Sequence, residues 1–411
     1  MRLTFLYLLL LLVSCSIYSK EKQPKQEKFS SIYKTAKLAL KNQSNQEAAL
    51  GALLGTLTRP ELSNKQKADV FYTAALLDES LNGVENDKAY LKRTYDTTKF
   101  FNKLRDMYEH LRQCDSVDVL PDASGRIRTR FHKKTHSQRL EHRRNILGGG
   151  RFYLAKKNYS AAYPFFDFYC TYRDEEKSDT LYQTATLWAT LSAFLTDNYQ
   201  GTIKYADAAI SFSDSATAAI LQEYKVRAYA SLGRDSLWVA SLKEGTEKYP
   251  EHDYFFVQLA DWYQGQRAFK DERSLADRLI AKTGGKAIHY YAKSKSFLSE
   301  DRYEDCIAYA DSTIALESDF VDAYYNKGIA YLNMAVVAQE SSCKDVKNPQ
   351  YIADKQRTQS LYREARPCME MVRRLEPERH ERWAPPLYRI YLNLNLGDEF
   401  NEIDRLLNQM K

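Results

Sequence analysis

Apolar and small residues return at helical spacing through the C-terminal two-thirds of this 411-residue chain. Within each stretch they stand three or four positions apart, which predicts amphipathic α-helices rather than strands. The pattern as a whole recurs roughly every 34 residues, a period typical of helix-turn-helix repeats. Each such unit has an apolar face that it cannot bury alone, so the units are expected to stack on their neighbours.

The register of this repeat can be followed from unit to unit. It is clearest in residues 301–331, where Cys306 and Ala310 occupy a second helix and Gly328 and Tyr331 begin the next unit. Equivalent small and large apolar positions recur elsewhere: Gly150, Tyr153, Ala162, Phe166, Tyr199, Thr202, Ala206, Val226, Tyr229, Leu242, Ala260, Tyr263, Ala276, Phe297, Ala365, Met369, Trp383 and Leu387. Small side chains would let helices cross closely, and rings would fill the space between them.

In spacing, these positions resemble the tetratricopeptide-repeat (TPR) family, although the Trp, Gly and Pro of that family are often replaced here. The resemblance implies an all-α fold, a TPR-type α-solenoid in which antiparallel helical hairpins form a right-handed superhelix. It also implies a concave groove that takes a protein or peptide partner. The expected function is therefore that of a non-enzymatic scaffold or adaptor.

Composition breaks and turn residues divide the chain further. The predicted segments are a signal peptide at 1–14, a polar tether at 15–28, less regular helical hairpins at 29–118, a basic loop at 119–134 and an array of about seven repeats at 135–411. An insertion at 339–357 interrupts one repeat of the array.

The first residues bear on the compartment. Arg2 precedes an apolar run from Leu3 to Val13 that is too short to span a bilayer but typical of a signal-peptide core. The sequence Leu12-Val13-Ser14-Cys15 resembles the lipobox of bacterial lipoproteins, in which Cys15 would carry the lipid. We therefore expect a periplasmic protein anchored by lipid to the outer membrane. The alternative is a soluble, secreted product of cleavage at a small-residue site.

Composition is that of a folded protein, with 44% hydrophobic and 28% charged residues. The formal net charge is +6, and the segment Arg126–Arg144 carries more than all of it. This segment is either an anion-binding site for phosphate, lipid head groups or an acidic partner, or a solvated helix face with a basic loop. Nucleic acid is not expected as a partner, because export would remove the protein from the cytoplasm.

Two cysteines suggest a covalent link near the insertion. Cys343 and Cys368 flank most of it, and a disulfide between them would stabilise the fold by about 3 kcal/mol through loop closure. Two free thiols are the alternative. Cys306 is expected to be free, because it fills a repeat position that favours a small buried side chain.

The sequence offers no catalytic or metal-binding pattern. His132 and His136 stand four apart, but lysines and arginines surround them and no third ligand is near in sequence. The run Gly148–Gly150 lacks the following Lys-Ser or Lys-Thr of a phosphate-binding loop, and it is expected to serve close helix packing instead. We therefore predict no enzyme activity, cofactor or metal.

The helical register also predicts which first-helix residues face the groove. They are Arg144, Arg151, Trp188, Tyr224, Arg227, Asp261, Tyr291, Lys295, Tyr325 and Asn326. Asn326 matches one residue of the carboxylate clamp of some TPR co-chaperones, but Tyr291, Lys295 and Glu381 disagree with the rest of that clamp. Two other functions remain open: a glycan-binding lipoprotein similar to the SusD class, and the sensor domain of an envelope signalling system.

Overall fold

The computed structural model describes residues 27–122, 124–172 and 180–409. The predicted signal peptide and Cys15 lie outside the described residues. Within the described ranges, regular secondary structure consists of helices alone, and none of these helices is long and apolar enough to cross a membrane. By Cα proximity the chain divides into two compact units, which meet between Asn198 and Tyr199, inside the predicted array. We refer to them as unit 1 and unit 2.

Unit 1 contains seven described α-helices. They are α1 (Phe29–Asn42), α2 (Gln46–Gly55), α3 (Asn64–Tyr90), α4 (Thr97–Asp118), α5 (His132–Ala155), α6 (Tyr159–Thr171) and α7 (Thr180–Phe194). A capping box begins α3: the Ser63 hydroxyl accepts from the Gln66 backbone N–H, and the Gln66 side chain accepts from the Ser63 N–H. The predicted basic loop is shorter than expected, because α5 already begins at His132.

Unit 2 contains α8 (Tyr199–Ser211), α9 (Ser215–Ser231), α10 (Asp235–Lys248), α11 (Asp253–Gly265), α12 (Phe269–Thr283), α13 (Ala287–Ser299), α14 (Tyr303–Leu316), α15 (Val321–Glu340), α16 (Pro349–Leu375), α17 (His380–Leu394) and α18 (Gly397–Gln409). Each helix packs on the next in sequence. In addition α11 contacts α13, α13 contacts α15 and α15 contacts α17. These first helices of the hairpins therefore lie side by side.

The predicted period is present in the structure. The first helices α11, α13 and α15 begin at Asp253, Ala287 and Val321, which keeps the 34-residue spacing from one hairpin to the next. Two first helices are followed by a residue in the left-handed backbone conformation that commonly ends a helix. These residues are Arg267 after α11 and Asp301 after α13.

Small residues stand where helices touch, as the repeat register predicts. A Cβ built on Gly328 of α15 would lie 2.5 Å from the Met369 side chain of α16. Cys306 and Ala310 on α14 are fully buried. The helices can thus approach each other closely because the side chains at these positions are small or absent.

The insertion is mostly helix rather than loop. Helices α15 and α16 contain 20 and 27 residues, whereas α13 and α14 contain 13 and 14. Asn348 caps α16 by accepting from the Gln350 N–H at 2.9 Å, and Pro349 occupies the first turn, where no N–H is needed. One hairpin of the array is therefore extended, with residues 341–348 at its tip.

The predicted disulfide is wrong, since Cys343 and Cys368 are both free thiols. Cys343 lies at the tip, where its backbone N–H donates to Asp354 at 2.8 Å. Cys368 lies on α16 beside Gly328, about 14 residues beyond Asp354, which corresponds to roughly 21 Å along the helix. A disulfide needs Cα atoms within about 7 Å of each other. The added helical turns therefore keep the two thiols apart.

Candidate functional site

The first helices of unit 2, with the residues that precede them, carry a row of polar and aromatic side chains. We call it the first-helix row and define it by Glu223, Arg227, His252, Tyr254, Asp261, Tyr291, Lys295, Phe320, Asp322, Tyr325 and Arg382. At least one contact between these side chains joins each first helix from α9 to α17 to the next one.

Between α9 and α11 the contacts are ionic and aromatic. The Glu223 carboxylate lies 2.5 Å from the Arg227 guanidinium and 2.6 Å from Nε2 of His252. His252 is the residue that immediately precedes α11. The Arg227 guanidinium lies 5.0 Å from the centre of the Tyr254 ring. Burial raises the pKa of Tyr254, so its phenol is neutral and offers a hydrogen-bond donor at the row.

Between α11 and α13, the Lys295 ammonium donates to the Asp261 carboxylate at 3.0 Å. Asp261 is exposed and Lys295 is about one-third exposed, so solvent screens this pair and it contributes little to stability. The pair therefore remains available to an incoming partner.

Glu272 of α12 is buried behind this ion pair and is only 1% exposed. Burial raises its pKa to about 8; Asp261 adds to the rise, while Lys295 and Arg273 oppose it. Within the described residues, Oε2 of Glu272 has no hydrogen-bond partner. This carboxyl group is therefore protonated at neutral pH, which avoids a buried, poorly paired charge.

From α13 to α17 the row is aromatic and ends on an arginine. The Tyr291 ring lies 5.0 Å from Phe320, and burial raises the pKa of Tyr291. Arg382 pairs with Asp322 at 2.5 Å and with Glu376 at 2.6 Å, and its guanidinium lies 4.7 Å from the Tyr325 ring. Two carboxylates and one ring thus fix the orientation of Arg382.

The first-helix row contains five of the predicted groove residues, namely Arg227, Asp261, Tyr291, Lys295 and Tyr325. Tyr224 is half-buried on α9. A role of these side chains in binding stays a prediction.

The assignment of Asn326 to the groove is wrong. Asn326 is 6% exposed, its amide lies 3.5 Å from the Ser294 hydroxyl, and its carbonyl accepts from the Cys306 thiol of α14. One residue along a helix turns the side chain by about 100°, so Asn326 points into the packing between helices while Tyr325 reaches the row. The partial match to a carboxylate clamp therefore carries no function here.

The predicted groove residues of unit 1 are not part of the first-helix row. Arg144 and Arg151 are exposed on α5, and Trp188 is half-buried on α7. Within the ranges that the structure describes, neither arginine forms an ion pair, whereas Arg126, Arg130 and Arg139 do.

Part of the basic segment 126–144 is engaged in packing. Arg130 pairs with Asp69 at 2.7 Å, and Arg139, which is buried, pairs with Asp115 at 2.6 Å. The Arg139 guanidinium also lies 4.1 Å from the Tyr172 ring. These contacts tie α5 and the residues before it to α3 and α4, so the segment is not simply a solvated face. The exposed basic residues of the segment are Arg126, Arg128, Arg130, Lys133, Lys134 and Arg144.

Sequence reasoning missed six residues of the row: Glu223, His252, Tyr254, Phe320, Asp322 and Arg382. Two of them could have been found, because Glu223 stands four residues before Arg227 and Asp322 three before Tyr325, which places each on the same helix face. Arg382 has no such signal, since its partner Asp322 stands 60 residues away in the sequence.

No family model matches the chain, and no curated protein matches it. Among solved structures, the C-terminal part of a TPR repeat-containing protein from Cytophaga hutchinsonii shares 12% identity at a TM-score of 0.42, over 62% of this chain and 91% of that one. A tetratricopeptide repeat protein from Parabacteroides merdae shares 12% identity at a TM-score of 0.35, over 65% and 98%. A TPR repeats protein from Bacteroides fragilis shares 16% identity at a TM-score of 0.30, over 64% and 98%. The antiparallel hairpins of unit 2, with first helices that begin 34 residues apart, have the architecture of a tetratricopeptide-repeat fold.

Proposed function

We propose that the protein is a non-enzymatic scaffold that binds a protein or peptide partner on the first-helix row. The observation that carries this proposal is the row itself: Arg227, Tyr254, Tyr291, Tyr325 and Arg382 stand on successive first helices. Tyrosine and arginine are enriched at the residues that dominate protein interfaces. Rigid helices also hold these side chains in place before binding, which lowers the entropic cost of association.

The charges of the row indicate the kind of partner. Glu223, Asp261 and Asp322 alternate with Arg227, Lys295 and Arg382, so acids and bases nearly cancel. A strongly charged partner would meet repulsion as often as attraction. The row therefore favours a peptide or protein surface of mixed charge that contributes aromatic and hydrogen-bonding contacts.

Tyr325→Ala is expected to weaken binding of a partner isolated from envelope extracts by 10- to 100-fold, since loss of a central aromatic residue at an interface typically costs about 2 kcal/mol or more. The matched control is Tyr324→Ala, which removes the adjacent tyrosine, whose hydroxyl instead donates to the Ser318 carbonyl at 3.0 Å. Titration calorimetry with the purified partner measures both. Equal affinities for the two variants would count against the first-helix row.

Arg144 and Arg151 provide a separate test in unit 1. Reversing both charges to Glu should weaken partner capture and reduce its dependence on salt, with helicity unchanged, because exposed charges steer association. The control is Lys243→Glu, at an exposed position on the second helix α10, which should change neither partner capture nor its salt dependence. If the double reversal leaves both capture and salt dependence unaltered, binding is confined to other residues.

We further propose that the protein acts in the bacterial periplasm, anchored to the outer membrane through a lipid on Cys15. The support is the sequence Leu12-Val13-Ser14-Cys15 after a short apolar run. Cys15→Ala should abolish acylation and release the protein from membranes, as measured by fractionation and mass spectrometry. A mature wild-type N-terminus beyond Cys15 would rule the anchor out.

A further inference from the structure

The extended hairpin forms a cavity that the first-helix row does not use. Its volume is about 410 Å³, within the range of small-molecule sites, and it lies where the ends of α15 and α16 meet α17. Lys344, Tyr351, Lys355, Gln359, Tyr362 and Asn393 all line it. On α15 the row extends as far as Tyr325, about 21 Å along the helix from the cavity residue Gln339. The cavity is therefore a separate site.

The inserted residues build this cavity. Lys344 belongs to the tip, and Tyr351 and Lys355 belong to the first turns of α16, which a hairpin of ordinary length lacks. The tip is held in place by Asp354, whose two oxygens accept from the Cys343 N–H at 2.8 Å and from the Gln350 amide at 2.7 Å. These bonds lower the pKa of Asp354 and occupy its carboxylate.

The side chains that line the cavity carry positive charge, although Asp354 beside them interacts electrostatically with Lys344. Lys344 and Lys355 line it, and no carboxylate does. Lys344 donates to two neutral oxygens, the Gln339 carbonyl at 2.9 Å and the Ser342 hydroxyl at 3.1 Å. Within the described part of the chain, the Lys355 ammonium has neither a hydrogen bond nor an ion pair. Two lysines that share a concave site attract an anion.

Tyr362 adds an unpaired polar group to the same cavity. Its side chain is 0% exposed and lines the cavity, and its hydroxyl has no hydrogen-bond partner among the described residues. Leaving a buried hydroxyl unpaired costs about 1–3 kcal/mol. The hydroxyl has no exposed surface in this structure, so an acceptor supplied by a ligand would recover this cost only once the side chains over the hydroxyl move aside.

We propose that this cavity binds a small organic anion, with its carboxylate or phosphate group held between Lys344 and Lys355 and a further oxygen accepting from the Tyr362 hydroxyl. The Tyr351 ring and the amides of Gln359 and Asn393 contact the uncharged part of the ligand. The extended hairpin is thus a ligand-binding module beside the partner-binding face.

Titration calorimetry of the full-length protein with citrate and with inorganic pyrophosphate tests this proposal and separates the two anion classes. At least one probe should bind. Lys355→Met should then weaken that binding at least tenfold, while Lys355→Arg should restore most of it, because the arginine keeps the charge. Lys347→Met is the matched control: it removes an exposed tip lysine that does not line the cavity, and it should leave affinity unchanged.

Tyr362→Phe distinguishes a ligand contact from a structural role. The variant should lose affinity severalfold while its thermal unfolding midpoint stays equal to or above that of the wild type, since only an unpaired hydroxyl is removed. Absence of heat with both anions would overturn the proposal, as would binding that survives Lys355→Met unchanged. Neither result would affect the first-helix row, which is tested with a different ligand.

Discussion

Replacing Glu272 by glutamine should make the stability of the protein less dependent on pH between pH 5 and 8. In the folded chain burial raises the pKa of this carboxyl from 4.5 to about 8, whereas in the unfolded chain it ionises near 4.5. Between these values the folded state keeps a proton that the unfolded state has lost. The stabilisation is therefore fully present below pH 4.5 and is lost as the pH rises to 8.

The expected effect is large. Stability changes by about 1.4 kcal/mol per pH unit for one proton, so the full window corresponds to on the order of 4 kcal/mol. A glutamine of the same shape does not ionise in either state. Urea unfolding at pH 5, 6.5 and 8 should show Glu272→Gln to be slightly less or equally stable at pH 5 and clearly more stable at pH 8.

Glu304→Gln is the matched control, because Glu304 is an exposed carboxylate on the next second helix. It should leave the pH profile of the wild type unchanged. Parallel pH profiles for the wild type and Glu272→Gln would show that Glu272 ionises in the folded protein at its ordinary pKa.

Alanine substitutions in the run Gly148–Gly150 should have opposite effects on stability at adjacent positions. A Cβ at Gly149 would lie 2.6 Å from a carbon of the Phe165 ring, and one at Gly150 would lie 2.7 Å from the Phe166 ring. Both rings are fully buried on α6 and have no room to move aside. Alanine at either position should therefore destabilise the protein by about 1–3 kcal/mol.

Gly148 is the internal control. A Cβ there would lie 3.8 Å from Phe101, an ordinary van der Waals contact. Gly148→Ala should stabilise the protein by about 0.5–1 kcal/mol, because alanine loses less backbone entropy than glycine in a helix. Thermal unfolding of the three alanine variants measures the difference. The same sign at all three positions would contradict the packing of α5 on α6.

The helical hairpins could be predicted from the sequence because the repeat positions report packing directly. Gly328, Cys306 and Ala310 are small because helices pack closely at these positions, and a 34-residue period survives the replacement of individual consensus residues. Helix starts at Asp253, Ala287 and Val321 follow from that period.

The extended hairpin was harder to predict, because an insertion of fixed length can form either a loop or extra helical turns. The Asn348-Pro349 pair is a helix-start signal inside the insertion, and it explains why α16 begins there. The disulfide prediction assumed that the insertion forms a loop, and it is wrong because the insertion is mostly helical.

The ionic contacts of the site depend on distances that a periodic pattern does not contain. Arg382 and Asp322 are 60 residues apart, and Arg130 and Asp69 are 61 apart. The direction of a single side chain is equally sensitive, since Asn326 and Tyr325 differ by one position and have different surroundings. Sequence reasoning therefore found the helices that carry the row but only part of its chemistry.

Site-specific photo-crosslinking tests the central proposal most directly. A photoreactive phenylalanine at position 227, 261 or 325, on three first helices of unit 2, should capture the same partner polypeptide in intact cells. The same group at Lys243 or Lys270, exposed on the second helices α10 and α12, should capture none of it. Crosslinks from the second-helix positions, with none from the first-helix row, would contradict the account.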